Sequence, residues 1–156
     1  MSLYELILSR RSIRQFKPEP VSKESLERLV NAARLAPSAA NLQPLEFIIV
    51  AEAKIRKQLF PCLKWAGYIA PEGNPKQGHE PVAYIVLLVN LQVRDKEYER
   101  DVGAAVENMI LTAWEEGIGS CWLLSVKRDK VQEMLKIPMN IKLTLCWLWD
   151  ILMRNL

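Results

Sequence analysis

Arg10, Ser12 and Arg14 alternate with Arg11 and Ile13, so in an extended backbone two guanidinium groups and a hydroxyl share one face. Such a face suits a phosphate, because a guanidinium offers paired N–H donors to two phosphate oxygens. A solvated basic turn is the alternative reading of the same residues. A second cluster, Pro37-Ser38-Ala39-Ala40-Asn41-Leu42-Gln43-Pro44, sets two prolines around small residues and two carboxamides. Asn41 and Gln43 can each donate and accept hydrogen bonds, and their small neighbours let a flat heteroaromatic ligand come close. Neither cluster offers acid–base chemistry, and no paired carboxylates or Cys–His dyad stand out elsewhere. The single histidine, His79, follows a glycine and reads as an exposed loop residue, so a Ser-His-Asp scheme would rest on it alone. An anion clamp and amide donors without a catalytic side chain point to a bound cofactor that carries the chemistry.

The elements around these clusters are legible from spacing. Ser2-Leu3-Tyr4-Glu5 has the form of a capping box, and Leu3, Leu6 and Ile7 predict a helix over about residues 3–9 that delivers the basic run. Pro18 and Pro20 break the chain. Ser22 is a good N-cap, with Val21 and Leu26 placed as a hydrophobic staple. Leu26, Leu29, Val30 and Ala33 then carry a second helix to about Leu35, where it meets the proline-bounded stretch. Residues 46–50 read as a short buried strand and 53–63 as a helix. Residues 65–81, dense in glycine and proline, read as a long loop, in which Trp65 and Tyr68 either cover an aromatic ligand or are buried at a helix end.

Val82 to Val89 is a continuous apolar run, as expected of a central strand covered on both faces. The charge run Arg94 to Asp101 reads as solvated surface, with Asp101 capping the next helix. The stripe Val102, Val106, Met109, Ile110 and Ala113 takes that helix to residue 114, and Gly117 is its C′ stop. A strand at 121–124, a helix at 129–135 and a strand at 143–149 complete the chain. Gly117-Ile118-Gly119 lacks a third glycine and precedes a strand, so it is no dinucleotide fingerprint. The alternation of helices and strands predicts a layered α/β arrangement in one domain, residues 1–156.

Composition narrows the partners. A net charge of +3 is too mild to imply nucleic acid, no apolar stretch is long enough for a membrane span, and the polar N-terminus is unlike a secretory signal. Cys62, Cys121 and Cys146 are odd in number and widely spaced, the pattern of buried free thiols in a reducing cytoplasm. With one histidine and no CxxC pair, no metal site is expected.

The motifs S-R-R-S-I-R-Q-F, A-A-R-L-A-P-S-A-A-N-L-Q-P-L-E-F, G-A-A-V-E-N-M-I-L-T-A and G-I-G-S-C-W-L occur in that order, and together they closely resemble the FMN-dependent nitroreductase family from about residue 3 to 142. The resemblance implies an α+β fold, a three-layer α/β/α arrangement with a central mixed sheet, in an intertwined homodimer with two FMN sites at its interface. It implies that Arg10, Arg11, Ser12 and Arg14 bind the phosphate and ribityl end. Pro37, Ser38, Ala39 and Asn41 of the partner subunit would line the flavin, with Gln43 beside them. Leu124 and Ser125 match a position where backbone groups meet the isoalloxazine near N5, although many members carry glycine there. No side chain is assigned a catalytic role, and no metal is implied. The implied activity is ping-pong: NAD(P)H gives a hydride to the flavin, which then reduces a nitroaromatic, quinone or related acceptor.

Three other readings stay open. One is a reductive dehalogenase or flavin-destructase-like enzyme on the same fold, with residues 64–81 as the place for a lid. Another is a flavin-binding protein with little or no turnover, and the last is a structural dimerisation module whose basic face is a surface patch. The resemblance departs at the end, where family members usually continue into a tail that wraps the partner and often brings a basic residue to the phosphate. Here C-W-L-W-D-I-L-M-R-N-L lacks the usual continuation, and Arg154 is its late basic residue. Loss of such a contact is expected to lower FMN affinity roughly 10–100-fold.

Overall fold

The structure, a computed structural model, describes residues 2–65 and 67–151. The Ser2 hydroxyl accepts the Glu5 N–H at 3.3 Å and the Glu5 carboxylate accepts the Ser2 N–H at 2.7 Å. The predicted capping box therefore starts α1 (Leu3–Ser9). Ser22 caps α2 (Lys23–Arg34) by accepting the Ser25 N–H. There follow β1 (Leu45–Val50), α3 (Ala53–Leu59), β2 (Ala83–Asn90), α4 (Glu99–Glu115), β3 (Ile118–Leu123), α5 (Arg128–Met134) and β4 (Ile141–Ile151), in the order the periodicity predicts. The expected helix over 53–63 is cut short, because Pro61 has no N–H for a carbonyl one turn back; Phe60–Cys62 tightens into a 3-10 turn instead. Gly117 ends α4 at φ 75, a left-handed conformation that suits glycine.

The strands lie in the order β1-β2-β4-β3, and every neighbouring pair is antiparallel. The expected mixed sheet is corrected accordingly. β2 and β3 do run in the same direction, but β4 lies between them, so they form no parallel ladder. Among the described residues the parallel pairing is a single bridge, Ser12 to Ser120.

β2 is buried from Ala83 to Val89 and divides the core. Ala83, Ile85, Leu87 and Val89 pack with Leu26 and Leu29 of α2 and with Val102, Val106 and Met109 of α4. Tyr84, Val86 and Leu88 face the other way, among Phe16, Leu59, Trp65, Cys121, Leu123 and Val131. Both faces of the sheet are thus covered, giving the three-layer α/β/α arrangement. Each fully buried leucine or isoleucine stabilises it by about 1.5–3 kcal/mol. No helix among the described residues is long and apolar enough to cross a membrane.

Candidate functional site

The basic run leaves α1 as an extended strap along the free edge of β3. Its anchor is backbone pairing: the Ile13 N–H donates to the Ser120 carbonyl at 2.8 Å, beside the Ser12–Ser120 bridge. Gly119 makes this close approach possible, since a Cβ there would stand 3.0 Å from Ile13 Cγ1 and 3.1 Å from its Cβ. Phe16, with 0% exposure, locks the end of the strap into the core. Ser12 is exposed and Arg10 half-buried. Arg11, on the alternate face, turns its Nη1 back onto the Leu8 and Arg10 carbonyls at 2.9 and 2.8 Å.

Arg14 is the strap residue whose side chain reaches inward. Its guanidinium lies beside Cys121, and its Nε is buried without a hydrogen-bond partner. Burial pushes the Cys121 thiol above its ordinary value, and the neighbouring Arg14 charge opposes that rise only in part. Cys121 and Cys62 are both buried free thiols; the Cys146 side chain lies outside the described ones.

The Pro37–Pro44 loop is built differently. Ala40, Asn41 and Gln43 take φ values of 52, 53 and 51, a left-handed region that costs roughly 1–2 kcal/mol for an L-residue with a Cβ. The side chains of Ala39, Ala40, Asn41 and Gln43 are exposed, so packing does not hold this turn. Hydrogen bonds do: the Ser38 hydroxyl accepts the Gln43 N–H at 3.0 Å and the Ser38 carbonyl accepts the Asn41 N–H at 2.9 Å. A carboxylate oxygen of Asp101 accepts the Ala39 N–H at 3.2 Å.

Leu124 and Ser125, just past β3, are exposed. The Leu124 carbonyl accepts from Arg128 at 3.0 Å and the Ser125 carbonyl accepts the Lys64 N–H at 2.9 Å. Both carbonyls of the segment are thus engaged within the chain. Ser125 also lines an open hollow of about 460 Å³ with Lys64, Trp65, Gly67, Ala70 and Asn74.

The strap and Leu124–Ser125 thus belong to one region, along β3, whereas the proline-bounded loop belongs to another. The loop feeds β1 at the opposite edge of the sheet. Asp101, in the first turn of α4, touches the loop, while Trp114, in the last turn, donates to Ser9 beside the strap at 3.0 Å. At about 1.5 Å per residue the two contacts are roughly 20 Å apart along the helix.

Several residues sit where the sequence reading did not put them. Asp101 is not the cap of α4, since Tyr98 holds that position. The charge run is not all solvated either: Asp101 is 4% exposed and pairs with Arg94 at 3.4 Å. Opposite charge and a backbone donor offset the cost of burying that carboxylate. His79 is no free loop residue, since its Nδ1 lies 2.8 Å from the Phe16 carbonyl and its own carbonyl accepts the Phe16 N–H. Gln15 adds bonds to the Asn74 carbonyl and the Lys76 N–H, tying the strap to the 65–81 loop. A charged pair seven positions apart was the available signal for Asp101; nothing local marks the His79 contact. Trp65 is buried against Phe16 and Phe60, and Tyr68 is exposed. Arg154 lies outside the described residues.

Comparison with known proteins gives the family and the fold. The model of the Nitroreductase family matches residues 7–148. A protein of Archaeoglobus fulgidus named "Putative NADH dehydrogenase/NAD(P)H nitroreductase" is 34% identical over 144 residues, 88% of this chain and 78% of its own length. Among solved structures, a nitroreductase family protein from Clostridium novyi NT superposes with a TM-score of 0.81 at 29% identity, covering 97% of this chain and 85% of its own. An FMN-dependent nitroreductase from Clostridium difficile R20291 does so with a TM-score of 0.80 at 25% identity, covering 97% and 88%.

Proposed function

This chain belongs to the nitroreductase family, and on that premise we propose that it is an FMN-dependent oxidoreductase. It would take reducing equivalents from NAD(P)H and pass them to a nitroaromatic, quinone or related small acceptor in a ping-pong cycle. The Clostridium difficile relative supports the cofactor by its name and the Archaeoglobus fulgidus relative supports the donor. The chain acts as a single domain in the cytoplasm, without nucleic acid or membrane as a partner.

The observation that carries the reading is the buried, unpartnered Nε of Arg14 on a strap fixed to the sheet edge. A buried donor left unpaired costs about 1–3 kcal/mol. The remaining guanidinium nitrogens can meet a phosphate oxygen, and Arg10 and Ser12 lie on the same strap. FMN, when bound, supplies the hydride-accepting and hydride-donating centre. The Leu124 and Ser125 N–H groups then serve as fixed donors toward the ring edge, where they stabilise negative charge. Asn41, Gln43 and the backbone of Pro37, Ser38 and Ala39 orient the ring.

The separation of about 20 Å along α4 favours a homodimer, in which the strap of one subunit meets the loop of the other. A purified chain reconstituted with FMN should show a bound-flavin absorption band that anaerobic NADH or NADPH bleaches and a quinone or nitroaromatic restores. A bound flavin that neither nucleotide reduces would make the chain a flavin-binding protein without turnover and overturn the oxidoreductase reading.

A further inference from the structure

Asp101 is a buried carboxylate that ties the first turn of α4 to the proline-bounded loop. An aspartate at the N-cap of α4 could reach the first free N–H groups with its side-chain oxygen. Tyr98 occupies that place, and Asp101 sits three residues further on, within the first turn, at 4% exposure. Each of its oxygens has one job: Oδ2 lies 3.4 Å from Arg94 Nη1, and Oδ1 accepts the Ala39 N–H at 3.2 Å. Arg94 is itself held, with its Nε donating to the Lys96 carbonyl at 2.7 Å.

The Ala39 N–H is a significant amide to hold. The next two residues, Ala40 and Asn41, are left-handed at φ 52 and 53. Anchoring the amide just before them sets where the turn begins, while Ser38 closes its far side on Gln43. An exposed, strained turn of this kind persists only when its surroundings over-determine it.

We propose that Asp101 and Arg94 are positioning residues that hold the Pro37–Pro44 loop in the form that receives the flavin ring, a role that rests on the FMN reading above. Arg94 holds the Asp101 carboxylate in place through their ion pair, and the carboxylate fixes the Ala39 amide. Neither residue touches the ligand in this role.

The test compares wild type with Asp101→Ala, Asp101→Asn and Arg94→Lys in the full chain. Its readouts are amide hydrogen exchange at Ala39 without FMN, FMN titration, and the absorption spectrum of bound flavin. Asp101→Ala should speed Ala39 exchange and weaken FMN binding, each about tenfold, and move the flavin band toward that of free FMN. Asp101→Asn keeps an acceptor for the amide and should recover most of both, and Arg94→Lys should stay near wild type. If Asp101→Ala does not fold, Ala39→Pro removes the same bond from the other side and should weaken FMN to the same degree. Unchanged FMN affinity and spectrum in Asp101→Ala or Ala39→Pro, or unchanged Ala39 exchange in Asp101→Ala, overturns the proposal. A wild-type chain that binds no FMN sinks the FMN reading itself; a wild type that binds it no better than Asp101→Ala sinks only this role.

Discussion

The strap at residues 10–16 and the loop at residues 37–44 are the two segments proposed to meet the flavin, yet they are held by opposite means. The strap is extended, relaxed and paired through its backbone to Ser120, with Phe16 buried at its end. Its course therefore does not depend on the side chains of Arg10 and Ser12. The loop is strained at Ala40, Asn41 and Gln43 and held through side chains, Ser38 from within and Asp101 from α4. It offers close backbone approach, and its shape depends on residues far away in sequence. A mutation in the strap should remove a contact and leave the fold, whereas a mutation around the loop should change its shape.

The sharpest test of that contrast is Arg14→Ala. It should weaken FMN binding about 10–100-fold while the urea midpoint of the FMN-free chain holds, measured by flavin fluorescence titration and chemical unfolding. A collapsed fold, or an unchanged affinity, would break the comparison. Next in size, Gly119→Ala puts a methyl 3.0 Å from Ile13 Cγ1, and overpacking of this kind costs about 1–3 kcal/mol. Urea denaturation should show that loss together with weaker FMN binding, because the strap is displaced whole.

Ala40→Gly, at φ 52, should do the reverse and raise stability by up to about 1 kcal/mol through relief of left-handed strain; a lower urea midpoint would mean that the strain is not there. The smallest effect belongs to the α1 cap. The Ser2 N–H, and then the Ser2 hydroxyl, lower the Glu5 pKa. Its contribution is full above the ordinary glutamate value of about 4.3 and fades as pH falls through the lowered value. Acid should fray α1 ahead of the strap anchor, seen as faster amide exchange at Glu5 and Leu6 than at Ile13.

Much of the fold was legible in local pattern. Ser22 with its staple, the apolar run of β2 and the stop at Gly117 each state an element's type from neighbours within a few positions, where periodicity and capping act. The motifs also marked the family. What local pattern could not carry was any property set by partners distant in sequence. Arg94 and Asp101 look like any charge run until α4 is seen to carry the carboxylate to Ala39. His79 looks free until its loop is laid against Phe16.

The sequence by itself thus determined the elements, their order, and which residue types could meet a phosphate and a flat ring, because these follow from side-chain spacing and backbone preference. Tertiary structure decided the rest. It laid β4 between β2 and β3, so that the sheet ran antiparallel. It buried Arg14 Nε beside Cys121, and it set the strap and the loop at opposite ends of α4. Those outcomes depend on which surfaces bury one another, and burial is a property of the packed chain rather than of any segment in it.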